Sequence, residues 1–239
     1  MVSPANYFDH NATSPLLPEV WEAMQAVAPR CQGNPSSPHH AGREARAVLE
    51  DARYRLANAA GVPPQGLCFT SGGSESNNAV LRQFAESEKT LHLVVSAIEH
   101  PSVLETARTL AQRPNLSITE LPVNGQGLVE PESLAAVLRP ETALVSVMSA
   151  NNETGALQPF AALAALCRTR GVPFHTDATQ VFGKLPVDWS GVDFATATAH
   201  KLGGPRGIGL LYVRSGVSFV PQITGGRQER VRRAGTEND

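Results

Sequence analysis

The stretch ALVSVMSANNETGALQPFAALAALCRTRGVPFHTDA, residues 143–178, decides the fold class of this chain. It begins with an apolar run of strand length, which a polar loop at 151–155 follows. A helix-like segment then ends at Gly171, and a second apolar run leads to Asp177. A strand, a helix and a strand at this spacing predict a right-handed crossover between parallel strands that are buried on both faces.

The same alternation of apolar runs and helix-like segments starts near residue 43. A long amphipathic helix is predicted over 42–60, with Gly61 ending it. Further helices are predicted within 76–87, 101–113 and 132–139, and strands within 67–73, 91–100, 116–123 and 194–214. The pattern indicates an α/β fold with a mixed, mostly parallel sheet.

Composition favours a protein that acts on a small molecule. The 239 residues are 41% apolar and 18% charged with a net charge of -2, so the chain has no basic footprint for nucleic acid. We expect no signal peptide and no membrane span, and therefore a cytoplasmic location. The three cysteines, Cys31, Cys68 and Cys167, lack metal-ligand spacing and are expected to be reduced thiols.

Ligands of open α/β sheets bind at the carboxyl ends of strands, so polar residues that follow apolar runs are candidate site residues. Five such clusters occur in the chain. They are SGGSES at 71–76, EHPS at 99–102, NNETG at 151–155, HTDATQ at 175–180 and TAHKLGGP at 198–205.

The cluster at 71–76 joins a glycine pair to a helix start. Unpaired backbone N–H groups and the positive end of the helix dipole favour an anion such as phosphate there. Ser74 or Ser76 as an ordinary N-cap explains the same pattern. His100 similarly has two interpretations, a cap of the following helix or a ring that stacks on a cofactor or transfers protons, and Asn152 is either a turn residue or a ligand.

Asp177 and Lys201 together point to pyridoxal phosphate. A carboxylate that closes a buried strand needs a cation or several donors, and a protonated pyridine nitrogen is one such partner. A capping role is the alternative. The cofactor also requires a lysine, and among Lys89, Lys184 and Lys201 only the last lies between an apolar run and a Gly-Gly-Pro turn. A solvated surface lysine is the alternative for that position.

The ordered series of motifs resembles the NifS/IscS-type cysteine desulfurases of the class V aminotransferase family. The resemblance runs from residue 7 to the end of the chain. It is carried by YFDHNATSPL, GNPSSPHHAGREAR, FTSGGSESNN, AIEHPSV, NNETG, HTDATQ, GKLPVD, AHKLGGPRGIG and RRAGTEN. It implies the large domain of a fold type I pyridoxal-phosphate-dependent transferase, with a mostly parallel seven-stranded sheet flanked by helices.

The resemblance also implies a role for each candidate residue. Lys201 would carry the pyridoxal phosphate, Asp177 would pair with the pyridine nitrogen, and His100 would stack on the ring, with Lys201 and His100 as the catalytic residues. Gln180 and Asn152 would bond the phenolic oxygen. The phosphate would be held by Gly73, Ser74, Thr198, His200 and, from the partner subunit of a homodimer, Thr236.

Two departures from the family pattern stand out. SGGSES replaces the commoner SGATES and TAHK replaces SGHK, and both changes keep a hydroxyl for the phosphate. The family also continues for over a hundred residues beyond GTEN. We therefore expect an N-terminal segment at 1–15 that belongs to a small domain, a cofactor-binding domain at 16–239, and no C-terminal small domain.

The implied activity is conversion of L-cysteine to L-alanine, with the sulfur passed as a persulfide to an enzyme cysteine and then to a scaffold or sulfurtransferase protein. This sulfur would serve iron–sulfur cluster or thio-cofactor assembly. None of the three cysteines matches the persulfide carrier, so the chain as given is expected to be inactive alone. A selenocysteine lyase or transaminase, and a non-catalytic cofactor-binding fragment, are the alternatives.

Overall fold

Seven strands form one sheet in the computed structural model, which describes residues 6–238. Four neighbouring pairs are parallel, and only β7 runs against both of its neighbours among the described strands. The predicted mostly parallel, seven-stranded α/β fold is confirmed. The strands are β1 Leu67–Thr70, β2 Leu91–Ser96, β3 Leu116–Leu121, β4 Thr142–Ser146, β5 Phe174–Asp177, β6 Phe194–Thr198 and β7 Gly209–Val213, in the spatial order β1-β7-β6-β5-β4-β2-β3.

Six α-helices accompany the sheet within residues 6–238. They are α1 Pro18–Val27, α2 His40–Ala60, α3 Gly73–Arg82, α4 Pro101–Leu110, α5 Pro131–Val137 and α6 Phe160–Thr169. Helix α2 ends as predicted at Gly61, whose φ of 68° is the left-handed conformation that glycine adopts without steric cost. Helix α1 was not predicted. In the part of the chain that is described, no helix has the length and apolar character to cross a membrane.

The crossover β4–α6–β5 has the predicted topology. Strands β4 and β5 are parallel neighbours, with Val145 opposite Phe174 and Ser146 opposite His175. All four residues of β5 are buried, as expected for a strand that is covered on both faces. This unit delivers Asp177 to the end of a central strand, where the side chain is only 5% exposed.

Two apolar cores lie on the two faces of the sheet. Leu93 and Val95 of β2 pack with residues of α3 and α4, whereas Val94 between them packs with residues of α2, α5 and α6. Successive strand residues point to opposite faces, so the continuous apolar run of β2 serves both cores. The result is a three-layer arrangement that leaves the ends of the strands for function.

The strand directions bring five chain segments to one edge. Because β1 and β6 are both antiparallel to β7, they run in the same direction, and β6 is parallel to β5, β4 and β2 in turn. The start of β7 reaches the same edge. A Cβ on Gly209 would lie 2.4 Å from the carbonyl carbon of Gly72, so glycine is needed for the turn after β1 to rest on β7.

Residues near both ends of the described range contact the rest of the fold. Of the predicted N-terminal segment, residues 1–5 lie outside the described residues, and Ser14 donates its backbone N–H to the carbonyl of His200 at 2.7 Å. Of the predicted domain at 16–239, the last residue also lies outside them. Near the other end, Glu229 is buried against Arg53 of α2, and Glu229 to Val231 have positive φ angles of 46°, 55° and 68°.

Candidate functional site

A cavity of about 560 Å³ opens at the edge of the sheet where the carboxyl ends of the strands meet. This volume lies in the range of small-molecule sites. All five polar clusters contribute to its lining, as the strand directions require. Nine of the ten predicted site residues line it: Gly73, Ser74, His100, Asn152, Asp177, Gln180, Thr198, His200 and Lys201.

Asp177 is held at the floor of the cavity by two donors. Its Oδ2 accepts a hydrogen bond of 2.7 Å from the side-chain amide of Asn77, and its Oδ1 accepts one of 3.0 Å from the backbone N–H of Thr179. Two donors offset part of the cost of burying the carboxylate, and the charge remains available to a cationic group in the cavity. Asn77 was not predicted, because it lies 100 residues away in the sequence.

Lys201 lies in a short 3₁₀ turn, Ala199–Lys201, directly after β6. Within residues 6–238 its amine makes no hydrogen bond or ion pair, although it lies in the field of Asp177. Burial, reinforced by the charge of Lys184, lowers the pKa of Lys201, and Asp177 acts in the opposite direction. A lysine with a lowered pKa presents more neutral, nucleophilic amine at neutral pH.

The other two lysines have different surroundings. Lys89 is exposed, and Lys184 donates a hydrogen bond of 3.0 Å from Nζ to Oε1 of Gln180. Neither of them lines the cavity. Of the three lysines, Lys201 is the one that the structure places at the cavity.

The wall formed by the Gly72–Gly73 turn and the start of α3 suits an anion. No side chain caps α3, so the first backbone N–H groups of the helix face the cavity with the positive end of its dipole. Thr179 lies opposite, and its buried Oγ1 has no hydrogen-bond partner in the described part of the chain. A Cβ on Gly73 would approach that oxygen to 3.3 Å. A turn without a side chain and an orphaned hydroxyl are the features of a phosphate cradle.

His200 and Thr198 complete this wall. His200 Nδ1 lies 3.0 Å from Oγ1 of Thr13, and Thr198 donates through Oγ1 to the carbonyl of Ile208 at 3.1 Å. Burial and the neighbouring charges of Lys201 and Arg206 lower the pKa of His200. Thr13, Thr179 and Arg206 line the cavity as well, although sequence reasoning did not single them out.

Gln180 and Asn152 lie beside the N-terminal segment. Gln180 donates through Nε2 to the carbonyl of Asn11 at 2.9 Å, and Asn11 donates to the carbonyl of Asn152 at 3.2 Å. Asn11 thus bridges the two residues that were predicted to bond the phenolic oxygen of the cofactor. The amide of Gln180 is directed to Asn11 and Lys184 in this structure, and not to the centre of the cavity.

Thr236 is the predicted site residue that lies outside this cavity. It is exposed. Its neighbour Arg233 forms an ion pair of 2.7 Å with Glu75, and Glu75 also accepts from the backbone N–H of Ser71 at 2.8 Å. The segment that carries Thr236 is therefore tied directly to the turn that forms the anion wall.

The cysteines lie away from the cavity. Cys68 and Cys167 are fully buried, and burial raises the pKa of both thiols, that of Cys167 to about 12. Such thiols are poor nucleophiles because little thiolate is present at neutral pH. Cys31 is half-buried and does not line the cavity.

Comparison with known proteins shows the family to which the chain belongs. Residues 6–238 match the family described as aminotransferase class-V. The chain belongs to that family. The match covers both apolar cores and every element of the candidate site, so the resemblance found in the motifs is confirmed at the level of the family.

Several relatives of similar sequence are named cysteine desulfurases. "Cysteine desulfurase IscS" of Dictyoglomus turgidum is 45% identical over 97% of this chain and 60% of its own length. The mitochondrial cysteine desulfurase of Arthroderma benhamiae is 46% identical, and the chain spans 47% of it. A solved structure described as SspA in complex with cysteine has a TM-score of 0.92 at 36% identity, over 97% of this chain and 68% of that one.

Proposed function

We propose that this chain provides the pyridoxal-phosphate site of a cysteine desulfurase. In this site Lys201 would hold the cofactor and Asp177 would pair with its pyridine nitrogen. One observation carries the proposal: a single cavity holds an amine of lowered pKa, a buried carboxylate and an anion cradle. The residues present fit pyridoxal phosphate, because its phosphate, its aldehyde and its pyridine nitrogen each find a partner of complementary charge or reactivity in the anion cradle, Lys201 and Asp177. Similar proteins that are named cysteine desulfurases support the choice of reaction.

Each residue contributes a definite part of the binding. The Gly72–Gly73 turn, Ser74 and the orphaned hydroxyl of Thr179 would hold the phosphate, with Thr198 and His200 beside them. Pyridoxal phosphate, when bound, supplies an electron sink for charge that develops on the substrate. Asp177 would keep a proton on the pyridine nitrogen, and the Lys201 amine would hold the cofactor and move protons to and from the substrate.

Loss of sulfur from L-cysteine requires an acceptor thiol. The balanced reaction takes L-cysteine and an enzyme thiol to L-alanine and an enzyme persulfide, with one C–S bond broken and one S–S bond formed. Cys68 and Cys167 are unsuited to this role because their thiols are buried and protonated. We propose that the thiol lies in the part of a full-length protein that corresponds to the unmatched portion of the relatives.

A homodimer is part of the proposal. The exposed Thr236 would contact the phosphate of a partner subunit, and the ion pair between Arg233 and Glu75 would fix the segment that presents it. A scaffold or sulfurtransferase protein would then take the sulfur from the persulfide. The wider purpose would be iron–sulfur cluster or thio-cofactor assembly.

Alanine formation tests the reaction. The full-length protein is incubated with pyridoxal phosphate, L-cysteine and a thiol reductant, and alanine and sulfide are measured. We expect equal amounts of both products, and loss of both in Lys201→Arg with Lys184→Arg as the matched control. Absence of alanine would overturn the desulfurase proposal, and alanine from selenocysteine alone would identify the lyase reaction instead.

A further inference from the structure

A hydrogen-bonded path joins Asp177 to His100 through two side chains that the sequence did not single out. Asn77 donates through Nδ2 to Asp177 Oδ2 at 2.7 Å and to Ser102 Oγ at 2.9 Å. Ser102 Oγ lies 2.7 Å from His100 Nδ1. The path crosses from the end of β5 through α3 to the start of α4, so three elements of the fold hold it.

The direction of each donor along this path is determined. The Asp177 carboxylate only accepts hydrogen bonds, so the atom of Asn77 nearest to it must be the NH₂ nitrogen. The remaining oxygen of that amide accepts from Thr196 Oγ1 at 2.6 Å. Asn77 is buried with 1% exposure, and both ends of its amide are engaged, so it cannot reverse without breaking these bonds.

The same logic continues to His100. Ser102 Oγ accepts from Asn77, and its own proton is directed to His100 Nδ1 because that nitrogen already accepts a bond from a backbone N–H group, which can only donate. The backbone N–H of Ser102 also donates to Nδ1, at 3.1 Å. Two donors therefore converge on one ring nitrogen, which has to be the unprotonated one, and the proton of the neutral imidazole is left on Nε2.

We propose that Asn77 and Ser102 are positioning residues that hold His100 as a neutral ring with its proton on Nε2, so that His100 donates a hydrogen bond to the cavity and accepts no proton from it. Nδ1 faces two donors and Nε2 already carries hydrogen, so neither nitrogen takes a proton without breaking the path. His100 then serves as a neutral stacking and donor group, and proton transfer is left to Lys201. The functional meaning rests on the proposed cofactor site.

The surroundings of His100 agree with a neutral ring. Burial lowers the pKa of His100, and of the charged groups that face it, Asp177 at the end of β5 raises the pKa whereas Lys201 after β6 lowers it. These two charges act in opposite directions. Which ring nitrogen carries the proton is set by the hydrogen-bonded path, because both donors of that path face Nδ1.

Nitrogen NMR of histidine-labelled protein tests the inference without any cofactor. The His100 signals are identified by their loss in His100→Gln, and the protonation of each ring nitrogen is followed with pH. We expect the proton on Nε2 and a neutral ring at neutral pH. In Ser102→Ala one of the two donors is lost, so we expect the pKa of His100 to rise, with Ser102→Thr restoring the original titration.

A matched control is Ser133→Ala, which alters a serine in the first turn of α5 away from this path. It should leave His100 unchanged. A proton on Nδ1, an imidazolium at neutral pH, or a Ser102→Ala variant that titrates as the unaltered protein does would overturn the inference. Since the readout needs no pyridoxal phosphate, its failure is distinguishable from failure of the proposed function.

Discussion

Neutralising Glu229 should destabilise the fold strongly, because its carboxylate forms a buried ion pair with Arg53. The two side chains are each 2% exposed, and the contact is bidentate at 2.7 and 2.9 Å. Glu229 Oε2 also accepts from the backbone N–H of Phe69 at 2.9 Å, and the guanidinium donates to the carbonyl of Leu67 at 3.0 Å. The pair thus joins α2, β1 and the turn at 228–231.

Glu229→Gln keeps the shape and the acceptor for Phe69 but removes the charge. The buried guanidinium of Arg53 would then keep only the partly exposed Glu50, 3.2 Å from its Nε, as a counter-ion, and losing the buried partner of such a pair costs about 3–5 kcal/mol of unfolding free energy. We expect a loss of that size in urea unfolding followed by circular dichroism and extrapolated to water.

Asp51→Asn provides the matched control. Asp51 pairs with Arg55 on the surface of the same helix, where the side chains are 54% and 77% exposed. Exposed pairs contribute about 0–1 kcal/mol, so this variant should unfold nearly as the unaltered protein does. The reasoning would be refuted if Glu229→Gln lost no more unfolding free energy than Asp51→Asn.

Two further predictions concern the carboxyl groups near the cavity. Burial raises the pKa of Glu99 from 4.5 to about 8, so the folded state binds the proton more tightly and this stabilisation is lost as pH rises from about 4.5 to about 8. Glu99→Gln should remove that pH dependence in urea unfolding, and identical slopes for both proteins would contradict it. Asp177→Ala should weaken pyridoxal phosphate binding by about 10- to 100-fold while the circular dichroism spectrum is kept, since an ionic hydrogen bond is lost. An unchanged absorbance titration would oppose this expectation.

Local patterns were sufficient to predict the fold. The crossover at 143–178 and the end of α2 at Gly61 depend on apolar periodicity and on glycine conformation, which are properties of short segments. The convergence of the five polar clusters followed from a topological rule, since parallel strands bring their carboxyl ends to one edge. Helix α1 was missed although Val20, Met24 and Val27 recur at helical spacing, and none of its residues is buried in this structure.

Long-range pairing explains what the sequence did not reveal. Asn77 acquires its role from Asp177 and Thr196, which lie 100 and 119 residues away. Glu229 stands among arginines in RQERVRR and resembles a solvated residue, yet it is buried against Arg53, 176 residues away. Residue type and spacing indicate which side chains are reactive, whereas the packing of distant elements decides which side chains orient them.

Borohydride trapping of the cofactor tests the central claim most directly. The protein is incubated with pyridoxal phosphate, reduced, digested and mapped by mass spectrometry, with Lys184→Arg and Lys201→Arg treated alongside. We expect the pyridoxyl group on Lys201 alone, kept in Lys184→Arg and lost in Lys201→Arg. Absence of label, or label on Lys184 or Lys89, would contradict the assignment of this cavity as a pyridoxal-phosphate site.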